Sequence, residues 1–358
     1  MRVLVAMSGG VDSAVTAALL AAAGHEVIGV TLQLYASGPR RHRGACCAGE
    51  DIHDARRVAD HLGIAHYVID AEARFREAVL EDFAASYARG ETPVPCVRCN
   101  QSVKFADLTA LARDLGAEAL ATGHYVRRVE GALGPELHRA RDAARDQSWF
   151  LFALTRAQLL FSRFPLGEMP NKAAVRAAAM RLGLPVAGKP DSQDLCFAPD
   201  GDYAAVAGRL APSGVEAGEI VAGDGRVLET HRGIARYTVG QARRLGRAAF
   251  DRGERQVVVA LDAGRRRVVV GPRGTGTRRV ALGGINWLVP RPAGPMRATV
   301  QLRAREAPQP ARIVPETGEL LLDAPALPAP GQAAVFYDGA RVLGGGFIRR
   351  AIDSTPSL

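Results

Sequence analysis

The sequence predicts an α/β protein with a doubly wound parallel sheet, followed by a small β-rich central domain and a C-terminal β-barrel. Short apolar runs alternate with helical stretches through the first half, which is typical of parallel sheets with helical crossovers. A Gly-rich turn joins the first of these runs to the first helix. Beyond about residue 203, turn residues recur at short intervals among β-type runs. We therefore expect domains at residues 1–202, 203–278 and 279–358.

Residue spacing predicts each element of the first domain. Short runs rich in Val, Ile and Leu predict strands, and apolar residues three or four positions apart predict helices. The predicted strands are Val3–Met7, His25–Leu34, Ala65–Asp70 and Ala119–Thr122, and the predicted helices are Ala14–Ala21, Ile52–Leu62, Phe75–Arg89, Val103–Leu115, Arg156–Phe161 and Asn171–Leu182. Because ligands gather at the carboxyl ends of parallel strands, we expect a site that combines the residues after Met7 with Leu32 and Gly123.

The later elements are of β type. Gln256–Ala260 and Arg267–Val270 predict strands of the central domain. Ala298–Leu302, Leu320–Leu322 and Ala333–Tyr337 predict strands of the barrel. Glycines and prolines separate these runs, as expected for tight turns between short strands.

Charge is distributed unevenly along the 358 residues. Residues 1–200 contain 23 basic and 23 acidic side chains, whereas residues 201–358 contain 23 basic and 14 acidic ones, so the net charge of +9 lies in the second half. Such an excess indicates a polyanionic partner. Three of the 46 basic residues are lysines (Lys104, Lys172 and Lys189) and the others are arginines. This skew looks like a coding bias, which weakens arguments from arginine identity.

The sequence shows neither a signal peptide nor an apolar run of membrane-spanning length, and its first residues lead directly into a core strand. We therefore expect a soluble, cytoplasmic protein with no membrane partner. The five cysteines do not form the framework of a small secreted protein. In a reducing compartment, catalytic or metal-binding roles are favoured for them.

The loop Ser8–Ser13, with the sequence SGGVDS, carries the first chemical signal. Gly9 and Gly10 permit a tight turn and let backbone N–H groups approach an anion closely. We expect Ser13 to cap the helix that follows, whose N-terminus has a partial positive charge. A strand, a Gly-rich turn and a helix N-terminus together predict a phosphate-binding loop.

Residue types exclude two common phosphate loops. A Walker A loop needs Lys beside its final Ser or Thr, and this loop contains no Lys. A Rossmann fingerprint needs three glycines at set spacing, and that spacing is also absent. The remaining pattern, SGGxDS, resembles the pyrophosphate loop of the ATP-pyrophosphatase superfamily. The resemblance implies cleavage of ATP between its α and β phosphates, transfer of AMP to a substrate oxygen, and displacement of AMP by a nucleophile. The alternative is a Gly-rich turn that binds no ligand.

Two cysteines indicate what the nucleophile is. Cys99 follows Arg98 and precedes a predicted helix, and both features make a thiol more acidic. Cys196 lies on a polar loop that could return to the same face of the sheet. Two thiols near an ATP site indicate sulfur transfer, in which one cysteine carries a persulfide and the other attacks it, leaving a disulfide.

A metal site is the alternative for the cysteine pairs. Cys96 and Cys99 form a CxxC half-site, which Cys46 and Cys47 would complete as a zinc or iron–sulfur site. Adjacent cysteines ligate one metal poorly, however, and Cys196 would be left unexplained. Cys46 and Cys47 are equally well interpreted as inert bystanders. The prediction therefore includes no metal-binding residue.

The chain as a whole resembles the tRNA-specific 2-thiouridylases of the MnmA type. The matching segments are Ala6–Ser13, Cys46-Cys47, Thr92–Asn100 with Lys104-Phe105, Ala121–Tyr125, Arg145–Leu151, Asp191–Phe197, Tyr237–Gln241 and Pro330–Gln332. The loop alone fits many relatives, whereas the cysteine segments and the Asp-Gln-Ser stretch are far more selective. The resemblance implies an adenine nucleotide α-hydrolase-like domain, a small central domain and a C-terminal β-barrel.

The resemblance also implies roles for individual residues. ATP would be bound by Ala6, Met7, Ser8, Gly9, Gly10, Val11, Asp12, Ser13, Leu32 and Gly123. The residues that would lie against tRNA are His124, Arg145, Asp146, Gln147, Arg303, Ala304 and Gln332. Cys196 would carry a persulfide, and Cys99 would be the nucleophile that resolves it.

The residues themselves leave several of these roles open. His124 at a strand end serves as readily as a hydrogen-bonded structural residue as it does in catalysis. Asp12 suits either Mg²⁺ or a helix cap. Arg303 suits either a phosphate contact or an ordinary surface charge. Gln332 follows Pro-Gly and suits a turn.

One departure from the family pattern lies in the predicted central domain. The family has Gly-Gln-Arg-Arg-Gly-Leu, whereas this chain has Gly-Gln-Ala-Arg-Arg-Leu, so that Arg244 follows Arg243 where a second Gly is usual. Arg cannot enter a left-handed turn as cheaply as Gly. We therefore expect the turn to be rearranged.

The expected activity is sulfur transfer to the C2 position of the wobble uridine in tRNA. ATP would adenylate the C2 oxygen, with Mg²⁺ bridging its phosphates, and the persulfide would then displace AMP. Anticodon loops present such unstacked bases readily. A cysteine desulfurase or a sulfur relay protein would supply the sulfur.

Three alternatives remain open on the sequence alone. A small-molecule ATP-pyrophosphatase ligase would need neither Cys99 nor Cys196. A non-catalytic RNA-binding protein with a regulatory nucleotide site would not turn over ATP. A cluster-dependent tRNA-thiolating enzyme would use Cys96 and Cys99 as ligands.

Overall fold

The computed structural model describes residues 1–35, 49–191, 195–198, 201–211 and 215–351. For residues 350 and 351 it describes the backbone alone. The segment that holds Cys46 and Cys47 lies outside these ranges, as do Ser192, Gln193 and Asp194 of the predicted cysteine loop. Among the described residues, no helix has the length and apolar character needed to cross a membrane.

Helices and strands alternate in the first half of the chain, as expected. The α-helices are α1 Val11–Ala22, α2 Gly49–Leu62, α3 Glu72–Phe75, α4 Asp82–Ala88, α5 Pro95–Cys99, α6 Phe105–Asp114, α7 Ser148–Leu151, α8 Arg156–Phe161, α9 Lys172–Arg181 and α10 Tyr203–Leu210, with π-helical turns at Arg76–Glu81 and Asn100–Lys104. The strands through residue 272 are β1 Arg2–Ala6, β2 Glu26–Gln33, β3 Ala65–Asp70, β4 Ala119–Ala121, β5 Val126–Gly131, β6 Gly134–Arg139, β7 Ser162–Arg163, β8 Gly218–Ala222, β9 Val227–His231, β10 Phe250–Asp251, β11 Glu254–Asp262 and β12 Arg267–Pro272. The later strands are β13 Thr277–Trp287, β14 Met296–Gln301, β15 Gln309–Val314, β16 Glu319–Ala326, β17 Ala333–Asp338 and β18 Arg341–Ala351.

The chain forms two compact units. The first comprises Met1–Ala78, Cys96–Gly201 and Ala340–Val342, and the second comprises Val79–Pro95, Asp202–Gly339 and Leu343–Leu358. The division into three domains at residues 202 and 278 stays a prediction.

The first unit contains a parallel sheet with the strand order β3-β2-β1-β4-β7. Alternate residues of β1, such as Val3 and Val5, face a core built with residues of α1, α2 and α9. The strand order reverses between β1 and β4, and a reversal of this kind opens a crevice at the carboxyl ends of the two strands. The predicted doubly wound sheet is therefore confirmed, and its switch point coincides with the Gly-rich loop.

The second unit is rich in β-structure, as predicted. One sheet has the order β10-β11-β12-β8-β9, in which β12 and β8 run parallel. A second sheet has the order β13-β16-β15-β14-β17-β18 and closes through pairing of β13 with β18. Its core includes the buried side chains of Val300, Ile313, Leu320 and Phe336. The predicted C-terminal β-barrel is confirmed.

Several elements were not predicted from the sequence. The hairpin β5–β6 follows the fourth predicted strand, where its polar residues give no clear alternation. Helix α10 lies just beyond residue 202, where the residue pattern had indicated only β-structure. Short, half-buried elements of this kind carry little periodicity of their own.

The turn at Arg244 keeps a left-handed conformation. Its φ is +63°, a value that favours Gly, and its carbonyl oxygen accepts a hydrogen bond of 3.3 Å from the hydroxyl of Tyr237. A left-handed φ costs a non-glycine residue roughly 1–2 kcal/mol. The turn therefore accommodates Arg at a cost in stability.

We expect Arg244→Gly to stabilise the protein by up to about 1 kcal/mol, because relief of the left-handed conformation exceeds the ~0.5–1 kcal/mol entropic cost of Gly. Arg243→Gly is the matched control, because Arg243 is an exposed neighbour without a positive φ. It is expected to destabilise the protein by about 0.5–1 kcal/mol. Urea unfolding of both variants measures the difference, and a destabilised Arg244→Gly would contradict this account.

Candidate active site

The Gly-rich loop passes from β1 into α1 through a left-handed turn. Gly9 has a φ of +71°, and a Cβ on this residue would lie 2.1 Å from the carbonyl oxygen of Asp51. The loop therefore needs Gly here for two reasons, its backbone conformation and the close approach of α2. The first N–H groups of α1 have no acceptor within the helix, so they are available to an anion.

Ser13 does not cap helix α1, and that prediction was wrong. The N-cap is Gly10, which makes no side-chain capping bond, and Ser13 lies within the first turn. Its hydroxyl donates to the carbonyl oxygen of Gly10 at 3.1 Å and accepts from the N–H of Ser8 at 3.1 Å. Ser13 therefore fixes the shape of the loop from inside, by joining its first residue to the helix start.

The end of β4 meets the start of α1. A Cβ on Gly123 would lie 3.0 Å from the backbone nitrogen of Ser13 and from the carbonyl carbon of Asp12. Leu32 is buried on β2, two residues after Val30, which accepts a hydrogen bond from the N–H of Met7. The structure thus places Leu32 on the strand beside the loop. It also brings Gly123 against the end of the loop, at Asp12 and Ser13.

Lys172 anchors the loop from outside. Its ammonium group lies 2.7 and 2.8 Å from the two carboxylate oxygens of Asp12, and 2.9 Å from Asp191. Asp12 also accepts a hydrogen bond of 2.6 Å from the hydroxyl of Tyr125. Burial, together with this bond to Asp12, raises the pKa of Tyr125, so the phenol keeps its proton.

Lys189 anchors the loop at its other side. Its ammonium group donates to the carbonyl oxygen of Gly9 at 3.1 Å and to Asp54 at 2.6 Å, and it also contacts Asp51. Burial opposes the charged form of Lys189, but the hydrogen bonds that it donates to Asp51 and Asp54 outweigh this effect, so the pKa of this lysine is raised. The group is therefore a permanent cation beside the loop.

Sequence reasoning missed the roles of both lysines. They lie 160 and 180 residues after their partners in the loop, so spacing gave no indication. A signal did exist: the chain has only three lysines among its 46 basic residues, and two of the three contact this loop. The loop itself contains no Lys and so has no ammonium group of its own. Lys172 and Lys189 bring two such compact cations to it from elsewhere in the chain.

Asp191 gathers three cations. Lys172, Arg176 and Arg145 lie 2.9, 2.8 and 3.0 Å from its carboxylate. Burial acts against the charged carboxylate, but the hydrogen bond from Lys172 and the nearby positive charges lower the pKa of Asp191. Asp191 is thus a stable anion that links the loop to Arg145.

Residues 145–147 have different surroundings. Asp146 accepts hydrogen bonds from the N–H groups of Ala140 and Ser148 and pairs with Arg139, so it organises its own turn. Gln147 accepts a hydrogen bond of 2.9 Å from the N–H of Tyr125. Arg145, by contrast, has a side chain that is 43% exposed. Of the three, Arg145 has the exposed charge, and the roles of all three towards tRNA stay predictions.

His124 follows Gly123 at the end of β4. Its Nδ1 lies 2.8 Å from the hydroxyl of Thr122, and its ring centroid lies 5.9 Å from that of Phe105. Burial, assisted by the positive charge of Lys104, lowers the pKa of His124 to about 3. The imidazole is therefore neutral at physiological pH, and it can exchange hydrogen bonds but cannot pair with a phosphate as a cation.

The two cysteine segments contact one short helix. Phe197, next to Cys196, has its ring centroid 6.0 Å from that of Phe75 in α3. The guanidinium of Arg74, also in α3, donates to the carbonyl oxygen of Ser102 at 3.2 Å, three residues beyond Cys99. Helix α3 therefore joins the two segments from which sulfur chemistry was predicted.

Helix α6 follows Cys99 as predicted, but Cys99 lies within helical structure and not near a helix N-terminus. Helix α5 begins at Pro95 and continues through a π-helical turn into α6, so Cys99 is its fifth residue. Because the helix-dipole effect falls off within the first turn, the helix N-terminus favours Cys96 more than Cys99. Cys99 is buried, while Cys96 and Cys196 are half-buried.

The predicted tRNA contacts of the second unit have internal partners. Arg303 donates to the carbonyl oxygen of Leu327 at 3.1 Å and also to that of Val239. The carbonyl oxygen of Ala304 accepts from Gln301 at 2.9 Å, and the amide of Gln332 donates to Thr92 at 3.1 Å. Their roles towards tRNA stay predictions.

The part of the chain that the structure describes holds no group of three or more His, Cys, Asp or Glu side chains arranged for a metal ion. Because Cys46 and Cys47 lie outside that part, the alternative of a metal site that includes them is not tested.

Comparison with known proteins identifies the family. Residues 1–200 match the family model described as the tRNA methyl transferase HUP domain, and residues 277–348 match that of the aminomethyltransferase beta-barrel domain. The tRNA-specific 2-thiouridylase MnmA of Acidiphilium cryptum is 66% identical over 97% of this chain and 100% of its own length. The chain belongs to the MnmA family of tRNA-specific 2-thiouridylases.

Two further MnmA proteins match this chain with similar identity and coverage. That of Gluconobacter oxydans is 61% identical over 97% of this chain and 99% of its own length. That of Rhodospirillum rubrum is 58% identical over 97% of this chain and 96% of its own length. The resemblance of the sequence to the MnmA family is therefore confirmed over nearly the whole chain.

We expect Gly9→Ala to lower the free energy of unfolding more than Gly24→Ala does. Both glycines have a positive φ, but a Cβ on Gly24 meets nothing within 4 Å, whereas one on Gly9 meets the backbone of Asp51. Gly24→Ala is expected to cost about 1–2 kcal/mol for its conformation alone, and Gly9→Ala must also displace α2. Equal losses in urea unfolding would contradict this reason for Gly9.

We expect His124 not to titrate between pH 5 and 8 in the folded protein, and to titrate near its ordinary value of about 6.5 in urea. Because only the unfolded state then binds a proton, His124 lowers stability as the pH falls from about 6.5 to about 3. NMR titration of the imidazole, assigned with His124→Gln, measures this. A folded-state transition above pH 5 would contradict it.

Proposed function

We propose that this chain thiolates tRNA by activating the C2 oxygen of the wobble uridine with ATP and then delivering sulfur from Cys196. The proposal is supported by family membership and by one observation in the first unit. The Gly-rich loop, Gly123 and two ammonium groups meet at the switch point of a parallel sheet, where ligands bind in such folds. Membership of the ATP-pyrophosphatase group implies ATP use.

Activation would take place at the loop. The N–H groups at the start of α1 bind the phosphates of ATP, and Lys189 holds the carbonyl group of Gly9 in place beside them. The uridine O2 attacks the α-phosphorus, the bond to the β-phosphate oxygen breaks, and pyrophosphate leaves. Gly123 leaves room for this, because any side chain there would fill the space above the helix start.

Sulfur transfer would follow at the two cysteines. The terminal sulfur of a persulfide on Cys196 attacks C2 of the activated base. The Cys99 thiolate then attacks the sulfur of Cys196, so the persulfide bond breaks and a Cys99–Cys196 disulfide forms. The freed sulfur stays on C2, and AMP leaves with the former O2. A cysteine desulfurase or a sulfur relay protein would renew the persulfide after reduction of the disulfide.

The substrate would be held at exposed cations and by neutral hydrogen-bonding groups. Arg145 can pair with a phosphate, whereas His124 and Gln147 can only exchange hydrogen bonds. The basic second half supplies further positive charge, and Arg303, Ala304 and Gln332 belong to it. The reaction would take place in the cytoplasm, where tRNA and the sulfur donors meet.

Mg²⁺ is not given a site of its own among the described residues. Asp12 of the loop, which the sequence left open to either Mg²⁺ or a helix cap, has both carboxylate oxygens bonded to Lys172. The donor set therefore does not fit an independently bound ion. Mg²⁺ would arrive with ATP, as a chelate of its phosphates.

We expect protein incubated with ATP, a cysteine desulfurase, cysteine and bulk tRNA to form 2-thiouridine, detected by nucleoside mass spectrometry. Cys196→Ser is expected to abolish this product while ATP still binds, because the sulfur carrier is lost. Cys99→Ser is expected to lose turnover because nothing resolves the persulfide.

Cys96→Ser is the matched control, because Cys96 lies on the same short helix as Cys99 but has no role in the proposed reaction. It is expected to keep the activity. Loss of activity in Cys96→Ser together with bound iron or zinc in the native protein would favour the metal-dependent alternative. Full activity of Cys196→Ser with the desulfurase would refute the assigned sulfur carrier.

A further inference from the structure

An uninterrupted series of ion pairs joins an exposed arginine to the phosphate loop. Arg145 lies 3.0 Å from Asp191, Asp191 lies 2.9 Å from Lys172, and Lys172 lies 2.7 Å from Asp12. The charges alternate in sign along this series, which we call the Asp191 relay. Its outer member is 43% exposed, whereas the side chains of Asp191 and Lys172 are only 17% and 11% exposed.

The same peptide segment reaches Asp12 by a second route. Gln147 accepts a hydrogen bond from the N–H of Tyr125, and the hydroxyl of Tyr125 donates to Asp12 at 2.6 Å. Lys172 lies over the Tyr125 ring, 5.8 Å from its centroid. A displacement of Arg145 or Gln147 would therefore act on Asp12 from two sides.

We propose that the Asp191 relay couples the binding of tRNA to the binding of ATP, so that a phosphate of the RNA on Arg145 releases Asp12 at the loop. This inference rests on the proposed function, because it assumes that one chain binds both substrates. Asp191 is then a positioning residue, which touches neither substrate and acts through Lys172.

The direction of the effect follows from competition between anions. An RNA phosphate that pairs with Arg145 takes that guanidinium away from Asp191. Asp191 then holds its remaining cations, Lys172 and Arg176, more strongly. Lys172 consequently weakens its pair with Asp12, and the Asp12 carboxylate is left with less positive charge beside it. Because like charges repel, this carboxylate then opposes the approach of the nucleotide phosphates.

Coupling of this kind is reciprocal. If tRNA weakens the binding of ATP by some factor, ATP must weaken the binding of tRNA by the same factor. Couplings between two sites in one protein commonly amount to between about 5-fold and 150-fold. For a single relay we expect about tenfold.

The test is a binding cycle on the full chain. The dissociation constant of adenosine 5′-(α,β-methylene)triphosphate, which cannot be cleaved at the reacting bond, is measured by calorimetry with and without saturating bulk tRNA. The dissociation constant of tRNA is then measured with and without the nucleotide. We expect both dissociation constants to increase about tenfold in the native protein, and no change in either, or a decrease in both, would overturn the proposal.

Variants identify the relay as the cause. Asp191→Asn keeps the size of the side chain but removes its charge, and we expect the coupling factor to fall to about one while each ligand still binds alone. Arg145→Gln is expected to abolish the coupling from the exposed end and also to weaken the binding of tRNA alone, because it removes the phosphate contact. Arg145→Lys is expected to restore most of both. A merely structural role would change each affinity equally with and without the second ligand.

Asp323→Asn is the matched control, because Asp323 is also paired with an arginine, at 2.8 Å from Arg297, but lies in the barrel. It is expected to keep the full coupling. The test of the relay can fail while the test of the proposed function succeeds. If the native protein forms 2-thiouridine but binds its two substrates independently, only the relay is refuted, whereas absence of 2-thiouridine refutes the function.

Discussion

The buried ammonium group of Lys172 is the interaction on which the first unit most depends. It bridges the carboxylates of Asp12 and Asp191. Without it, Asp191 would keep Arg145 and Arg176, but Asp12 would lose the cation with which it pairs. Removal of one partner from a buried ion pair is far more damaging than the net value of the pair, because the remaining charge stays desolvated. Lys172 therefore links the loop and the helix that follows it to Asp191.

The sequence predicted the sheet well because its signal is periodic and local. Strand β3 was predicted with its observed bounds, Ala65–Asp70, and so was helix α8, Arg156–Phe161. The hairpin β5–β6 was missed, because its half-buried, polar strands have no strict alternation of apolar residues. Packing against neighbours decides such elements, and a neighbour in space cannot be read from spacing along the chain.

The candidate site was predictable in its backbone but not in its side-chain partners. Gly9 and Gly123 were predicted because glycine at a strand end indicates a tight turn or a close approach of another segment to the backbone. The cap was assigned to Ser13 instead of Gly10, because a Ser before an apolar run is the commoner signal. Lys172 and Lys189 depend on contacts across more than a hundred residues, which no local pattern encodes.

The scarcity of lysine has a practical consequence. The chain contains only four primary amines, those of Lys104, Lys172, Lys189 and the N-terminus, and two of them touch the Gly-rich loop. Amine-directed reagents, which label most proteins over their whole surface, would act on this one with unusual selectivity. Because the side chains of Lys172 and Lys189 are only 11% and 25% exposed, their labelling would report opening of the loop, and a peptide map would show it with almost no background.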